Sequence, residues 1–261
     1  MSDILLSFIL GIIQGLTEFL PISSSAHLLL PSLIFGVTDL GLSFDIAVHA
    51  GTLFAVVYYF KKEILLMTKS IYSKEKELDD HRKLFVMLVI GTLPIIIAGL
   101  GFSDVISERI FNLSSIAYSN LIFAAILLFA YLGRSENLKM YDVTFKAALI
   151  IGLFQCIALI PGASRSGTAI TGALIVGLNM RDASKFAFLL SIPTILGAIV
   201  FLISDFNNYD FINITTLIGF LASFIFAFLT IKYFLSFVEK TGMIPFVIYR
   251  IILGLTLLVL I

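Results

Sequence analysis

The chain has 261 residues, of which 59% are hydrophobic and only 13% are charged, and its mean hydropathy is +1.08. Soluble domains carry about 25% charged residues, so this composition excludes an ordinary water-soluble protein and indicates a polytopic membrane protein. The formal net charge is zero, which offers no basic surface for nucleic acid. The single cysteine, Cys156, excludes an internal disulfide and is expected to be a small core residue.

Eight apolar stretches follow one another along the chain, and the first and fifth of them are interrupted by polar residues. A spanning helix needs about 20 mostly apolar residues. In chain order the stretches are residues 4–36, 46–60, 84–101, 110–133, 147–177, 186–204, 211–231 and 241–261. We predict six transmembrane helices from the uninterrupted stretches.

The two interrupted stretches contain helix-breaking prolines among polar residues. Pro21 stands among Glu18, three serines and His27, and Pro161 stands just before Arg165 and two serines. Irregular backbone at membrane depth is tolerated only where it is buried in protein or lines a wet cavity. Each stretch is therefore predicted to be a re-entrant pair of short helices that enters and leaves the membrane on one side.

The basic residues support this arrangement. Fourteen of the 17 Lys and Arg residues lie in residues 61–83, 134–146, 181–185 and 232–240. The six-span scheme places these segments, predicted to be loops, on one side of the membrane, which the positive-inside rule makes cytoplasmic. Both termini are then expected to lie outside.

The interrupted stretches also resemble each other. In an alignment of "GIIQGLTEFLPISSS" with "GLFQCIALIPGASRS", the glutamines match and, after a one-residue gap, the prolines match. With three spans in each half, the second copy would be inverted, an arrangement known from transporters. The predicted fold is thus an all-α polytopic membrane protein. It has one domain of two inverted-topology repeats, about residues 1–135 and 140–261, with six transmembrane helices and two re-entrant helix pairs.

The two interruptions carry the parts of an anion site. Pro21 and Pro161 suit the first turn of a helix, and the serines after them are good caps. Each tip would then present a helix N-terminus, which favours anions. Arg165 adds a permanent cation whose planar fork suits phosphate.

The first interruption adds reactive groups. Gln14 and Glu18 are four residues apart and share a helix face, while Ser24 and His27 are three apart. A hydroxyl, an imidazole, a carboxylate and an arginine around an anion site are the parts that phosphoryl transfer needs.

Less specific interpretations stay open at several of these positions. Glu18 could be a protonated core group, and His27 could cap its helix or pair with Glu18. Arg250 could snorkel from its helix to the membrane surface. Asp45 and His49, four residues apart, could line the same cavity or lie at the interface.

At these residues the sequence resembles a known family. "QGLTEFLPISSSAH" and "PGASRSG" are similar to the two motifs of the bacitracin-resistance type undecaprenyl-diphosphate phosphatases (BacA/UppP), and "FDIAVHAGTL" and "IPFVIYR" also resemble family segments. The resemblance implies a membrane phosphatase that hydrolyses undecaprenyl diphosphate, recycles the lipid carrier of cell-wall synthesis and confers bacitracin resistance. It also implies a divalent cation, Mg²⁺ or Ca²⁺, and a pocket that opens to the outer, periplasmic face of the bacterial cytoplasmic membrane.

The resemblance implies roles for individual residues. Glu18 matches the essential glutamate, Ser24 the candidate nucleophile, His27 the motif histidine and Arg165 the phosphate-binding arginine. The first motif position, Glu or Gln in the family, is Gln14, so the metal ligands are expected to be Glu18 with Asp45. The expected substrate-binding residues are Gln14, Ser23, His49, Ser164, Ser166 and Thr168, with Thr168 or Thr171 taking the place of a threonine that the family has one position later.

Two mechanisms and two function classes remain. Ser24 attacks the terminal phosphate while His27 or Glu18 takes its proton, or Glu18 and His27 activate a water directly. The alternative function is a transporter or flippase for a polyprenyl phosphate or another anion, which the inverted repeats would also suit. The expected partners are the lipid substrate and the bilayer, and a homodimer is left open.

Overall fold

The computed structural model describes residues 2–101, 112–204 and 213–261, and these residues are helical apart from turns and one isolated bridge between Leu138 and Leu178. The prediction of an all-helical chain is confirmed for them. The described α-helices are α1 Asp3–Thr17, α2 Ser24–Phe35, α3 Gly41–Tyr59, α4 Lys61–Tyr72, α5 Asp79–Gly101, α6 Leu113–Leu132, α7 Phe145–Cys156, α8 Arg165–Ile175, α9 Met180–Ser204, α10 Ile214–Thr241 and α11 Ile244–Val259.

Five helical segments in the described ranges are long and apolar enough to cross a membrane. They are Gly41–Tyr59, Lys76–Gly101, Leu113–Leu132, Met180–Ile203 and Ile214–Thr241. The sixth predicted span, residues 241–261, contains only the 16-residue helix α11, because α10 continues to Thr241 and the chain turns at Gly242. Sixteen residues extend about 24 Å, less than the roughly 30 Å of a hydrocarbon core.

The outer surface of the helices is apolar. Large side chains such as Phe54, Ile97 and Phe129 are mostly exposed, and similar residues face outward from the other long helices. A water-soluble monomer rarely exposes an apolar surface of this extent. The chain is therefore a multi-pass membrane protein.

Both interrupted stretches form two short helices joined by a turn, as predicted. The prolines, however, do not lie in the first turn of the following helix. Pro21 precedes α2 by three residues and Pro161 precedes α8 by four, so this prediction is wrong. Two serines start the helices instead, Ser23 and Ser164, and both have φ of 73°.

A left-handed backbone is uncommon for a residue other than glycine and costs roughly 1–3 kcal/mol. Ser164 caps α8, because its Oγ accepts a hydrogen bond from the backbone N–H of Gly167 at 3.2 Å. Ser23 makes no such side-chain bond. The surrounding contacts must therefore hold both turns in shape.

Two of the predicted basic loops are largely helical. Residues 61–83 form α4, a 3₁₀ turn and the first turn of α5, and residues 232–240 belong to α10. These helices continue beyond the apolar stretches that defined the predicted spans. Hydropathy marks where a chain leaves the lipid, whereas backbone hydrogen bonding carries the helix further.

Each interrupted stretch packs its first helix against a long helix of the other half. A side chain at Gly11 of α1 would lie 2.8 Å from the Gly219 carbonyl of α10, and one at Gly152 of α7 would lie 2.4 Å from the Gly91 carbonyl of α5. Only glycine allows these close approaches. The two glycines are also equivalent in the alignment of the interrupted stretches.

Candidate active site

The turns of the two interrupted stretches meet inside the protein. We call residues 18–23 the first tip and residues 157–164 the second tip. The Ser166 hydroxyl, just after the second tip, donates to the Leu20 carbonyl of the first at 2.8 Å. A fully buried arginine, Arg250, donates to carbonyls of both tips. The first tip therefore contacts the start of α8, directly after the second tip, and Arg250 bridges the two tips.

Glu18 lies at the centre of this contact and is only 7% exposed. Its Oε2 accepts hydrogen bonds from the Ser24 hydroxyl at 2.5 Å and from the Gln14 amide at 2.9 Å. Its Oε1 accepts from Nη2 of Arg165 at 2.6 Å. Three donors from both halves thus surround one carboxylate, and these contacts suit a charged, ion-paired group better than a protonated core group.

Arg165 is the first residue of α8 and is aimed at the first tip. Its side chain is 13% exposed, and only Nη2 is used by Glu18. Its Nη1 is buried and has no hydrogen-bond partner in the described part of the chain. Because a buried N–H is costly to leave unpaired, this nitrogen is a ready donor for an anionic ligand.

The two histidines near the tips have different environments. His27 Nδ1 lies 2.7 Å from the Ser23 carbonyl, and Nε2 lies 2.6 Å from the Tyr249 hydroxyl, with the two rings stacked at 5.7 Å. A carbonyl can only accept, so Nδ1 carries a proton and donates it to Ser23. The predicted pairing of His27 with Glu18 is therefore absent, and the ring holds its own helix turn.

His49 is the histidine that faces Glu18. Its Nε2 lies 4.0 Å from Glu18 Oε2, and its Nδ1 lies 2.7 Å from the carbonyl of Asp45 one turn earlier on α3. The ring is partly exposed, so it lies between the buried carboxylate and the solvent side of the site. Asp45 is half-buried beside a small cavity that Ser25 also lines. His49 therefore lies at the site, whereas Asp45 lines a cavity whose walls do not include Glu18, Ser24 or Arg165.

The remaining predicted residues are buried close to the tips but are not all directed at a ligand. The hydroxyls of Thr168 and Thr171 donate to carbonyls of their own helix at 3.0 and 2.7 Å. The hydroxyls of Ser23 and Ser25 lie 3.2 Å apart, and those of Ser164 and Ser166 lie 3.2 Å apart. In each stretch, therefore, the left-handed serine pairs with the serine two residues later.

The site contains oxygen ligands for a hard cation, but few of them. No group of three or more His, Cys, Asp or Glu residues within the described ranges is arranged to hold a metal. The Gln14 carbonyl oxygen is buried and lacks a partner in the same ranges, and it lies on the side chain that already contacts Glu18. Mg²⁺ is commonly bound by one or two carboxylates together with substrate phosphates, and this donor set fits such a site.

A comparison with protein families matches residues 7–256 to bacitracin resistance protein BacA. The chain belongs to this family. It is 44% identical over 259 residues to the undecaprenyl-diphosphatase of Saccharophagus degradans, covering 97% of this chain and 96% of that protein. It is 41% identical over 256 residues to the undecaprenyl-diphosphatase of Alcanivorax borkumensis, covering 97% of both.

In this member of the BacA family, sequence reasoning missed the role of α11. Arg250 is 1% exposed and does not snorkel to the surface, so that interpretation is wrong. Tyr249, the residue before it, is the partner of His27. The sequence did contain a signal for this role, since Arg250 is the one charged residue in its apolar stretch. A charge embedded in the membrane with no opposite charge nearby in the sequence must have its partners elsewhere in the fold.

We expect Glu18 and Arg165 to be energetically coupled. Removing one partner of a buried ion pair leaves an uncompensated charge, so Glu18→Gln or Arg165→Met alone should lower the free energy of unfolding by about 3–5 kcal/mol. The double variant should lose clearly less than the sum. Unfolding by denaturant in detergent micelles measures all four proteins.

The exposed pair Arg134–Glu136 provides the control for this cycle. The same substitutions there should show coupling below about 1 kcal/mol, because water screens the pair. Equal coupling at the two sites would contradict the structural importance of the Glu18–Arg165 pair.

Proposed function

We propose that this chain is a membrane phosphatase that hydrolyses undecaprenyl diphosphate to undecaprenyl phosphate and inorganic phosphate. The observation that carries the proposal is the arrangement around Glu18. One carboxylate accepts a hydrogen bond from the Ser24 hydroxyl and pairs with Arg165. The Nη1 of Arg165 is buried and has no partner among the described residues. A nucleophile, a base and a hydrogen-bond donor for the phosphate are thus brought together at one point. The names of the two relatives support the same activity.

In the proposed mechanism, Ser24 Oγ attacks the terminal phosphorus while Glu18 takes its proton. The bond to the bridging oxygen breaks, and undecaprenyl phosphate leaves. Glu18 passes its proton to the departing phosphate and is ionised again. Water then attacks the phosphoserine with Glu18 as the base, and Glu18 returns that proton to the serine oxygen as phosphate is released. Glu18 is preferred over His27 as proton acceptor because the Ser24 hydroxyl already donates to it at 2.5 Å.

Arg165 has the second role in this scheme. Its free Nη1 binds a phosphate oxygen, and the N–H groups at the start of α8, near Ser164 and Ser166, assist it. Ser23 and Thr168 shape the backbone beside these donors. On the exposed side of the site, His49 hydrogen-bonds to a phosphate oxygen or accepts the proton from Glu18. His27 holds α2 in place through Tyr249.

The competing mechanism has no covalent step. Glu18 would activate a water that attacks the phosphorus directly, and Ser24 would only orient that water. The close Ser24–Glu18 contact supports attack by serine, because the hydroxyl already has its base in place.

A divalent cation, Mg²⁺ or Ca²⁺, would be held by Glu18 and the Gln14 carbonyl oxygen, with the remaining ligands from the diphosphate and water. When bound, it would neutralise charge on the phosphates. The sequence-based suggestion of Asp45 as the second protein ligand stays a prediction.

The transporter or flippase is not favoured, because both named relatives are phosphatases. A carrier of an anion also has no need of a serine hydrogen-bonded to a buried carboxylate.

The proposed architecture is one domain of two inverted repeats with six spans and two re-entrant pairs. It is supported by the reciprocal packing of α1 on α10 and of α7 on α5, and by the paired left-handed serines. In this arrangement α11 is the sixth span. A homodimer stays a prediction, and the mass of the protein in a detergent micelle checks it.

We further propose that the protein lies in the bacterial cytoplasmic membrane with the site open to the outer face and both termini outside. The support is the concentration of basic residues in α4, the residues before α7, and the ends of α9 and α10.

Ser24→Ala should retain substrate binding and lose turnover by roughly 10³-fold or more, because the attacking oxygen is gone. Phosphate release from undecaprenyl diphosphate by purified protein in detergent measures this. Ser25→Ala is the matched control, since Ser25 contacts Ser23 and not Glu18, and should stay near the unsubstituted rate. Near-normal turnover of Ser24→Ala would exclude serine attack, and absence of phosphate release from the unsubstituted protein would exclude the phosphatase.

Gln14→Glu should lower the Mg²⁺ concentration for half-maximal activity by about tenfold, because a second carboxylate beside Glu18 strengthens a hard-cation site. Asp45→Asn should leave that concentration unchanged if Gln14 supplies the second ligand. If the Mg²⁺ concentration for half-maximal activity rises in Asp45→Asn and does not change in Gln14→Glu, Asp45 is the second ligand instead. Titration of activity after chelation gives both values.

The proposed orientation predicts labelling from opposite sides. In a Cys156→Ser background, Ser2→Cys should react with a membrane-impermeant maleimide on intact cells. Tyr72→Cys, at the exposed end of α4, should react only after the cells are permeabilised. The reverse pattern would invert the proposed topology.

A further inference from the structure

Arg250 contacts both tips through their backbone carbonyls. Its Nη1 donates to the carbonyls of Pro21 at 3.2 Å and Ala163 at 2.9 Å, and its Nη2 donates to the carbonyl of Gly162 at 2.8 Å. Its Nε donates to the Asn120 carbonyl of α6 at 3.4 Å. One guanidinium therefore joins four carbonyls from three separate parts of the chain.

We propose that Arg250 is a positioning residue that holds the two tips in the register at which Ser24, Glu18 and Arg165 converge. This inference rests on the proposed function, because it assigns Arg250 a part in the same reaction. Arg250 does not touch the reacting atoms in this assignment and acts through the backbone of the tips.

The positions of the acceptors support this role. Pro21 is three residues before Ser24, and Gly162 and Ala163 come directly before the left-handed Ser164 and Arg165. The backbone that orients both reactive side chains is therefore the backbone that Arg250 binds. Carbonyls in such turns have no helical partner, so a donor must be brought to them.

The choice of arginine also follows from this geometry. Its planar fork presents five donors in fixed directions, whereas a lysine ammonium is a compact charge on a flexible stem. Only the fork reaches carbonyls of two tips and of α6 at once. No carboxylate within the described residues forms an ion pair with Arg250, and carbonyl dipoles alone compensate its burial. Such a costly arrangement is typical of a functional site in a membrane protein.

A second contact on the same helix supports the assignment. The Tyr249 hydroxyl lies 2.6 Å from Nε2 of His27 on the first turn of α2, next to the residues that Arg250 holds. Consecutive residues of α11 therefore attach the α2 start and both tips to one helix. If this attachment is lost, the tips are expected to shift by a fraction of the distance between the reacting atoms. Such a shift slows the chemical step more than it weakens substrate binding.

Arg250→Lys and Arg250→Met test the proposal in purified protein with undecaprenyl diphosphate. We expect kcat to fall by about 100-fold in both variants and KM to change less than about threefold. The relative placement of the two tips is lost, whereas the groups that bind the substrate are retained. Hydrogen exchange should accelerate in residues 18–27 and 157–167 and stay unchanged in α5, α9 and α10. Arg181→Lys, at an exposed ion pair with Glu239, is the control and should match the unsubstituted protein.

Several results would overturn the proposal. Near-normal kcat in Arg250→Lys would show that the charge suffices and that the fork is not needed. A large rise in KM with retained kcat would assign Arg250 to substrate binding. Faster exchange throughout the helices would indicate a role in overall stability alone. If the unsubstituted protein releases no phosphate, the proposed function fails, and the exchange pattern of the Arg250→Lys variant still tests the contact between tips.

Discussion

The buried ion pair between Glu18 and Arg165 is the interaction on which the site depends. The two residues are 147 positions apart, and each lies beside a turn that breaks a helix inside the protein. A lone carboxylate or guanidinium would be very costly in an apolar interior, whereas the pair with added hydrogen bonds from Ser24 and Gln14 is tolerated. The two interrupted stretches therefore stabilise each other's polar groups, and neither turn is satisfied alone.

The charge around the tips is unbalanced in a way that suits a diphosphate. Arg165 and Arg250 are both cationic, and Glu18 is the one buried carboxylate that lies between the tips in the described residues. The region thus carries a net positive charge in a poorly screened environment, where an anionic ligand is bound more strongly than it would be in water. Nη1 of Arg165, which has no partner among the described residues, can orient the anion through a directional hydrogen bond.

Apolar length and helix breakers allowed much of the architecture to be predicted, because both follow from local sequence. The interrupted stretches and the meeting of Glu18, Ser24 and Arg165 followed from polar residues that could not face lipid. The carbonyl partners of Arg250 and the tyrosine partner of His27 could not be predicted, because they lie more than 80 residues away in the chain. The left-handed serines were missed for a similar reason, since serine has no local preference for that conformation and tertiary contacts impose it.

The backbone also corrects how the two tips correspond. Matching the prolines would pair Ser24 with Ser164, but Ser24 and Arg165 are each the first helical residue after a left-handed serine. The same backbone thus presents a hydroxyl from one half and a guanidinium from the other, and both contact Glu18. By the spacing from the matched glutamines, the position equivalent to Glu18 is Leu159. Two similar turns therefore build one site instead of two, because a single carboxylate is shared by a nucleophile and a cation that occupy equivalent places.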